Sequence, residues 1–188
     1  EQEEVLSGLF LCMYLITIIG NLLIVLAIGC DRHLHTPMYF FLANLSCVDI
    51  CVSSVTIPKM VVNHILGSQS ISYAECMTQI YFFITFTNMD GFLLSVMAYD
   101  RYNAICCPLH YTMIMRPKLC VLLVAASWVV TNLHALLHTL LMGTLTFCSN
   151  NAVHHFFCDP YTVLRLSCSN TFINDLMVLT EGGLIFMT

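Results

Sequence analysis

The stretch VLSGLFLCMYLITIIGNLLIVLAIGC, Val5 to Cys30, decides the fold class, because its 26 residues contain no Asp, Glu, Lys or Arg. A helix needs about 20 predominantly apolar residues to cross a hydrocarbon core of about 30 Å, so this run is one full span. Its flank is acidic (Glu1, Glu3, Glu4) and its length exceeds a signal-peptide core, so it reads as a retained span, not a cleaved leader. Four more apolar stretches follow, at about 38–66, 76–105, 119–142 and 171–188, separated by polar breaks at 31–37, 67–75 and 107–118 and by a long loop at 143–170. Helices are expected in each, since a helix satisfies its own backbone inside lipid. The last stretch meets the chain end without a polar flank, which predicts a chain truncated within a helix.

Composition agrees. The 188 residues are 59% hydrophobic and 9% charged, against roughly a quarter charged in a soluble domain. A net charge of −5 leaves no basic surface for a nucleic-acid backbone, and a mean hydropathy of +0.84 excludes disorder. No internal repeat supports a repeat-built transporter. The expectation is a single all-α membrane domain over residues 1–188 with about five transmembrane helices.

Lys and Arg accumulate in cytoplasmic loops. Arg32, Arg101, Arg116 and Lys118 fall on one side, Lys59 and Arg165 on the other. This places the N-terminus and the 143–170 loop outside. Cys76, Cys148, Cys158 and Cys168 then lie in an oxidising compartment, where four cysteines allow three pairings that spacing does not choose among. Cys12, Cys30, Cys47, Cys51, Cys106, Cys107 and Cys120 read as packing residues or free thiols, with a weak palmitoylation signal at Cys106 and Cys107.

Three polar constellations interrupt the apolar spans. Asp100-Arg101-Tyr102 lies about 36 Å along a third helix that begins near Cys76, at the cytoplasmic interface. There the adjacent acid and base can neutralise each other, or Arg101 can simply extend to the headgroups. Asp49 and Asp90 fall about 16 and 15 Å from the cytoplasmic ends of their helices, so at one depth. Two carboxylates at one level call for a shared proton or a cation between them, unless groups such as Asn21 and Ser95 hydrogen-bond each separately. Phe83 and Thr87, at i and i+4, with Ile84 and Asn88 on the adjoining face, form an apolar surface with hydroxyl and amide groups, suited to a small ligand or to helix packing. His134 and His138, and His154, His155 and Cys158, have partial metal-ligand spacing, but neither set is complete and no metal site is expected. No nucleophile stands beside a base, so no enzyme is expected.

The run Met97-Ala98-Tyr99-Asp100-Arg101-Tyr102, followed by Ala104-Ile105-Cys106 and Pro108-Leu109-His110-Tyr111, resembles the signature of vertebrate olfactory receptors, which are rhodopsin-like G-protein-coupled receptors. Gly20-Asn21, Leu34 to Leu42, Leu45-Ser46 with Asp49, Pro58-Lys59, Ser127-Trp128, His155 to Asp159 and Leu166 to Ser169 agree, in the family's order and spacing. Asn103 departs from the family's usual Val. The resemblance implies a rhodopsin-like seven-helix bundle, here truncated to about five helices, in the plasma membrane. It implies a small neutral volatile odorant as ligand, contacting Phe83, Ile84, Thr87 and Asn88; Phe83 stands where aminergic receptors carry a carboxylate. It implies Asp100, Arg101 and Tyr102 as the switch that couples to a heterotrimeric G protein of the olfactory stimulatory type, raising cAMP in the full-length parent. It also implies no cofactor beyond a sodium ion at Asp49 and Asp90, and disulfides Cys76–Cys158 and Cys148–Cys168. The alternative function is an ion-coupled transporter or channel with Asp49 and Asp90 on the ion path.

Overall fold

A computed structural model describes residues 2–65, 70–145, 153–154, 164 and 176. Helix α1 spans Gln2–Cys30, α2 Pro37–Ile65, α3 Tyr73–Cys106, the single-turn α4 Tyr111–Ile114, and α5 Pro117–Gly143. Four of these, α1, α2, α3 and α5, are long and apolar enough to cross a membrane. The chain is therefore an all-helical membrane protein among its described residues, apart from one minimal strand pair. Of the expected stretch 171–188 only Leu176 is described.

Local chemistry sets the helix ends. Asp31 caps a short 3-10 turn, Arg32–Leu34, by accepting from the His33 backbone N–H at 2.9 Å and meeting its ring Nδ1 at 3.0 Å. These bonds, the backbone one first, hold the Asp31 carboxyl below its ordinary range. Pro37 and Pro117 open α2 and α5, where a missing N–H costs nothing. α3 starts at Tyr73, three residues before the expected 76, because Ser72 and Glu75 form a reciprocal capping box: the Glu75 N–H donates to Ser72 Oγ and the Ser72 N–H to Glu75 Oε2. Inside the spans most polar side chains bond one turn back along their own helix, as Thr17, Asn21, Asn44, Thr56, Thr85, Asn88 and Ser127 do. That is how a helix carries such groups through lipid.

The helices pack in chain order, α1 on α2 and α2 on α3, with α5 on the other side of α3. Two buried clusters lie along α3. One joins Cys76, Ile80 and Ile84 to Ala135 and Met142 of α5 and to Leu145 and Leu164 beyond it. The other joins Phe41 and Val48 of α2, Met89 and Leu93 of α3, Met115, and Cys120 and Val124 of α5.

Two expected breaks are more ordered than the sequence reading allowed. The 67–75 break holds strand β1, Ser70–Ile71, which pairs antiparallel with β2, Val153–His154, out of the long loop. The 107–118 break holds α4. Neither is visible in hydropathy, because two residues of strand and one turn of helix are too short to show a period.

Candidate ligand and coupling sites

At one end of α3, Asp100 is buried, 2% exposed, and accepts a hydrogen bond from the Tyr111 hydroxyl at 2.8 Å. Tyr111 opens α4, so this bond ties the connection between α3 and α5 to the helix end. Burial, reinforced by the bond to Asp100, pushes the Tyr111 hydroxyl up to about 12. Arg101 and Tyr102 are exposed. Of the two readings open at Asp100 and Arg101, mutual neutralisation is not found, since these two side chains make no ion pair with each other. The physical reason is helical geometry: neighbours in sequence point about 100° apart and do not face each other. The acid turns inward to Tyr111 and the base outward.

Midway along α3, Asp90 is partly buried, and its Oδ1 is buried without a hydrogen bond among the described residues. The charge of Asp49, on the neighbouring α2, acts on it. The groups that could have satisfied them separately do not: Asn21 donates to the Thr17 carbonyl at 3.1 Å, and Ser95 to that of Gly91 at 2.9 Å. Two acids on adjacent helices that influence each other electrostatically, one with a buried oxygen that lacks a hydrogen bond among the described residues, are donors of the kind that suit a hard monovalent cation or a shared proton.

Towards the other end, Phe83, Thr87 and Asn88 are half-buried, and Asn88 donates to the Ile84 carbonyl at 2.9 Å. Ile84 is 4% exposed and packed in the cluster with Ala135 of α5. No charged residue lies on α3 from Cys76 to Met89. Behind this face the Tyr81 hydroxyl donates to Asn132 Oδ1 of α5 at 2.7 Å, and Phe86 meets Trp128 edge-on. Cys76, buried at the start of the stretch, is disulfide-bonded. Cys148, Cys158 and Cys168 lie outside the described residues. So does the His155 and Cys158 part of the histidine cluster, whose His154 is committed to the strand pair. Among the described residues no group of three or more His, Cys, Asp or Glu side chains could hold a metal ion.

A family model described as olfactory receptor matches residues 10–182 of the chain. The chain belongs to the olfactory receptor family. It is 61% identical over all of its 188 residues to olfactory receptor 1f45 of Rattus norvegicus, and 58% and 57% identical, again over its whole length, to olfactory receptors 1C1 and 1F1 of Homo sapiens. It covers 60% of each of these relatives, so the chain spans about three-fifths of their length. Olfactory receptors are receptors and not enzymes. The four apolar helices are what a part of their membrane bundle requires.

Two residues of this olfactory receptor chain carry more than the sequence reading gave them. Tyr111 was quoted only as the end of a motif, although a tyrosine shortly after an interfacial Asp is a candidate donor to it. Asn103, the departure from the family's usual Val, is 4% exposed and donates to the Tyr99 carbonyl at 2.7 Å. It sits one turn beyond Asp100 on the buried face.

Proposed function

We propose that this chain is the ligand-binding and coupling part of an odorant receptor that takes a small, neutral, volatile organic molecule and activates a heterotrimeric G protein of the olfactory stimulatory type, raising cAMP. The reading rests on the family, and the observation that carries its ligand class is the absence of charge on α3 from Cys76 to Met89, beside the half-buried Phe83 and Thr87. A cationic amine against this stretch of α3 would find no carboxylate on it to offset its lost hydration. A neutral molecule gains by apolar contact and one hydrogen bond to Thr87 or Asn88.

In this reading the N-terminus is extracellular, the Cys76 end of α3 faces outward in the plasma membrane and the Asp100 end faces the cytoplasm. The disulfides are Cys76–Cys158 and Cys148–Cys168, which close the long loop over the ligand face. Arg101, free of Asp100 and exposed, is the group presented to the G protein, with Tyr102 beside it. The bond from Tyr111 keeps Asp100 occupied, so Arg101 need not break an ion pair with it to be presented. Asp49 and Asp90 hold a sodium ion or share a proton, and ligand binding shifts the balance between two helix arrangements by differential affinity.

The test uses a full-length receptor carrying these residues, in cells with a cAMP reporter and a panel of neutral alcohols, aldehydes, ketones and esters. Arg101→Ala is expected to abolish the response at unchanged surface density; a retained odorant-dependent rise contradicts the coupling role. Asp49→Asn or Asp90→Asn is expected to change the sodium or pH dependence of activation, and if neither does, the shared site is wrong. A ligand-gated current from the purified protein would favour the ion-path reading instead.

A further inference from the structure

Gln79 is among the few described polar side chains of the spans that reach a neighbouring helix, and its acceptor there is backbone. Where most bond back to their own helix, Gln79, 7% exposed, sends its Nε2 across to the Val55 carbonyl of α2 at 3.3 Å. The acceptor sits three residues before Pro58, which lies inside α2. Proline has no N–H and its ring crowds the preceding turn, so the Ser54 carbonyl loses its helical donor and the neighbouring rung at Val55 is loosened. The same turn is held from the other side, where the Tyr14 hydroxyl lies 3.3 Å from Ser54 Oγ. On α3, Gln79 stands at i with Phe83 at i+4 and Thr87 at i+8, so it is the next rung of the candidate ligand face towards the Cys76 end.

We infer that Gln79 is a positioning residue for ligand recognition: by bonding the Val55 carbonyl beside Pro58 it fixes the spacing of α2 and α3 at the Cys76 end of the Phe83–Thr87 face. The ligand readout rests on the odorant-receptor reading; the structural readout does not. Without this bond the proline turn of α2 loses a tie to α3 and can shift against the rung that carries Phe83.

The experiment is a double-mutant cycle in the full-length receptor, comparing the parent, Gln79→Met, Pro58→Ala and the two combined. Met keeps the length of Gln79 without its donor, and Pro58→Ala returns the missing N–H, so the turn no longer needs a brace. Gln79→Met is expected to raise the EC50 of the most potent odorant of the same neutral panel about tenfold, with the maximal response kept once scaled to surface density, but less than about twofold on the Pro58→Ala background. Surface density of the four proteins, read with an antibody to an N-terminal tag, is expected to follow the same pattern without any ligand. An unchanged EC50 in Gln79→Met, or an equal loss on both backgrounds, overturns the inference. If Gln79→Met fails to reach the surface, recovery in the double variant supports the brace and continued retention overturns it. A parent that answers no member of the panel counts against the odorant reading alone, and the surface-density cycle then decides Gln79.

Discussion

At the Asp100 end of α3 the buried cluster draws on α2, α3, α5 and Met115 of the short connection between the last two, whereas at the Cys76 end the described members of the cluster come from α3, α5 and, beyond α5, Leu145 and Leu164. The first is closed by side chains from helices that follow one another with short connections. The second needs the long loop to come back over the helix ends, and it is where the chain uses covalent and backbone devices: the disulfide-bonded Cys76, the β1–β2 pair and the cross-helix bond of Gln79. The lesson is one of chain entropy. A ten-residue connection brings Met115 onto α3 at little cost, but ordering a longer loop requires added restraints to offset its freedom.

This contrast gives four predictions, in falling order of effect. Cys76→Ser is expected to be the most damaging, costing about 2–5 kcal/mol with the lost cross-link and removing most of the protein from the surface. The buried thiol of Cys120, in the other cluster, should stay as slow to react with a membrane-permeant alkylating reagent as in the parent. Rapid labelling of Cys120 in this variant would show that the two ends do not open separately.

Phe41→Ala tests the converse. Phe41 is fully buried at the Asp100 end, and its truncation is expected to cost about 3 kcal/mol in thermal inactivation. Cys120 should then label readily while Cys76 remains unreactive. Labelling of Cys76 instead would reverse the assignment of the clusters.

Tyr111→Phe leaves the buried Asp100 carboxylate without its donor, a cost of about 1–3 kcal/mol. The pH dependence sharpens this. The Tyr111 proton is held more tightly in the folded protein, to about 12 against an ordinary 10, so its stabilisation is complete below about pH 10 and is lost as pH rises towards 12. Melting temperatures measured across that window should fall less steeply for Tyr111→Phe than for the parent; equal slopes would show that Tyr111 does not carry the effect.

The smallest effect is expected from Asn103→Val. Among the described residues the Asn103 amide bonds within its own helix, a weak and slightly unfavourable arrangement at a buried position. The apolar replacement should raise thermal stability at the Asp100 end by less than about 1 kcal/mol. A loss of stability would reveal a second role for the amide.

Much of this was legible in the residues. Long uncharged runs locate the spans because lipid admits only backbone that bonds to itself, and the depth of an acid follows from counting residues at a fixed helical rise. Counting residues puts Asp49 and Asp90 at one depth, and the capping box at Ser72 and Glu75 is legible in the sequence as well. The Asp100 motif carried the family, and the family model and the relatives agree with it.

What the sequence by itself determined is what depends on one helix at a time: which segments are apolar enough to span, at what depth each polar residue sits, and which family the ordered motifs belong to. Only the tertiary structure decided partners between helices. It gave Asp100 to Tyr111 and not to Arg101, Ile84 to a cluster with α5, and Gln79 to the α2 backbone beside Pro58. The reason is that a helix fixes the direction of a side chain only relative to its own axis. Which neighbour stands in that direction is set by how the helices turn and cross when they pack, and no residue count along a single helix contains that rotation.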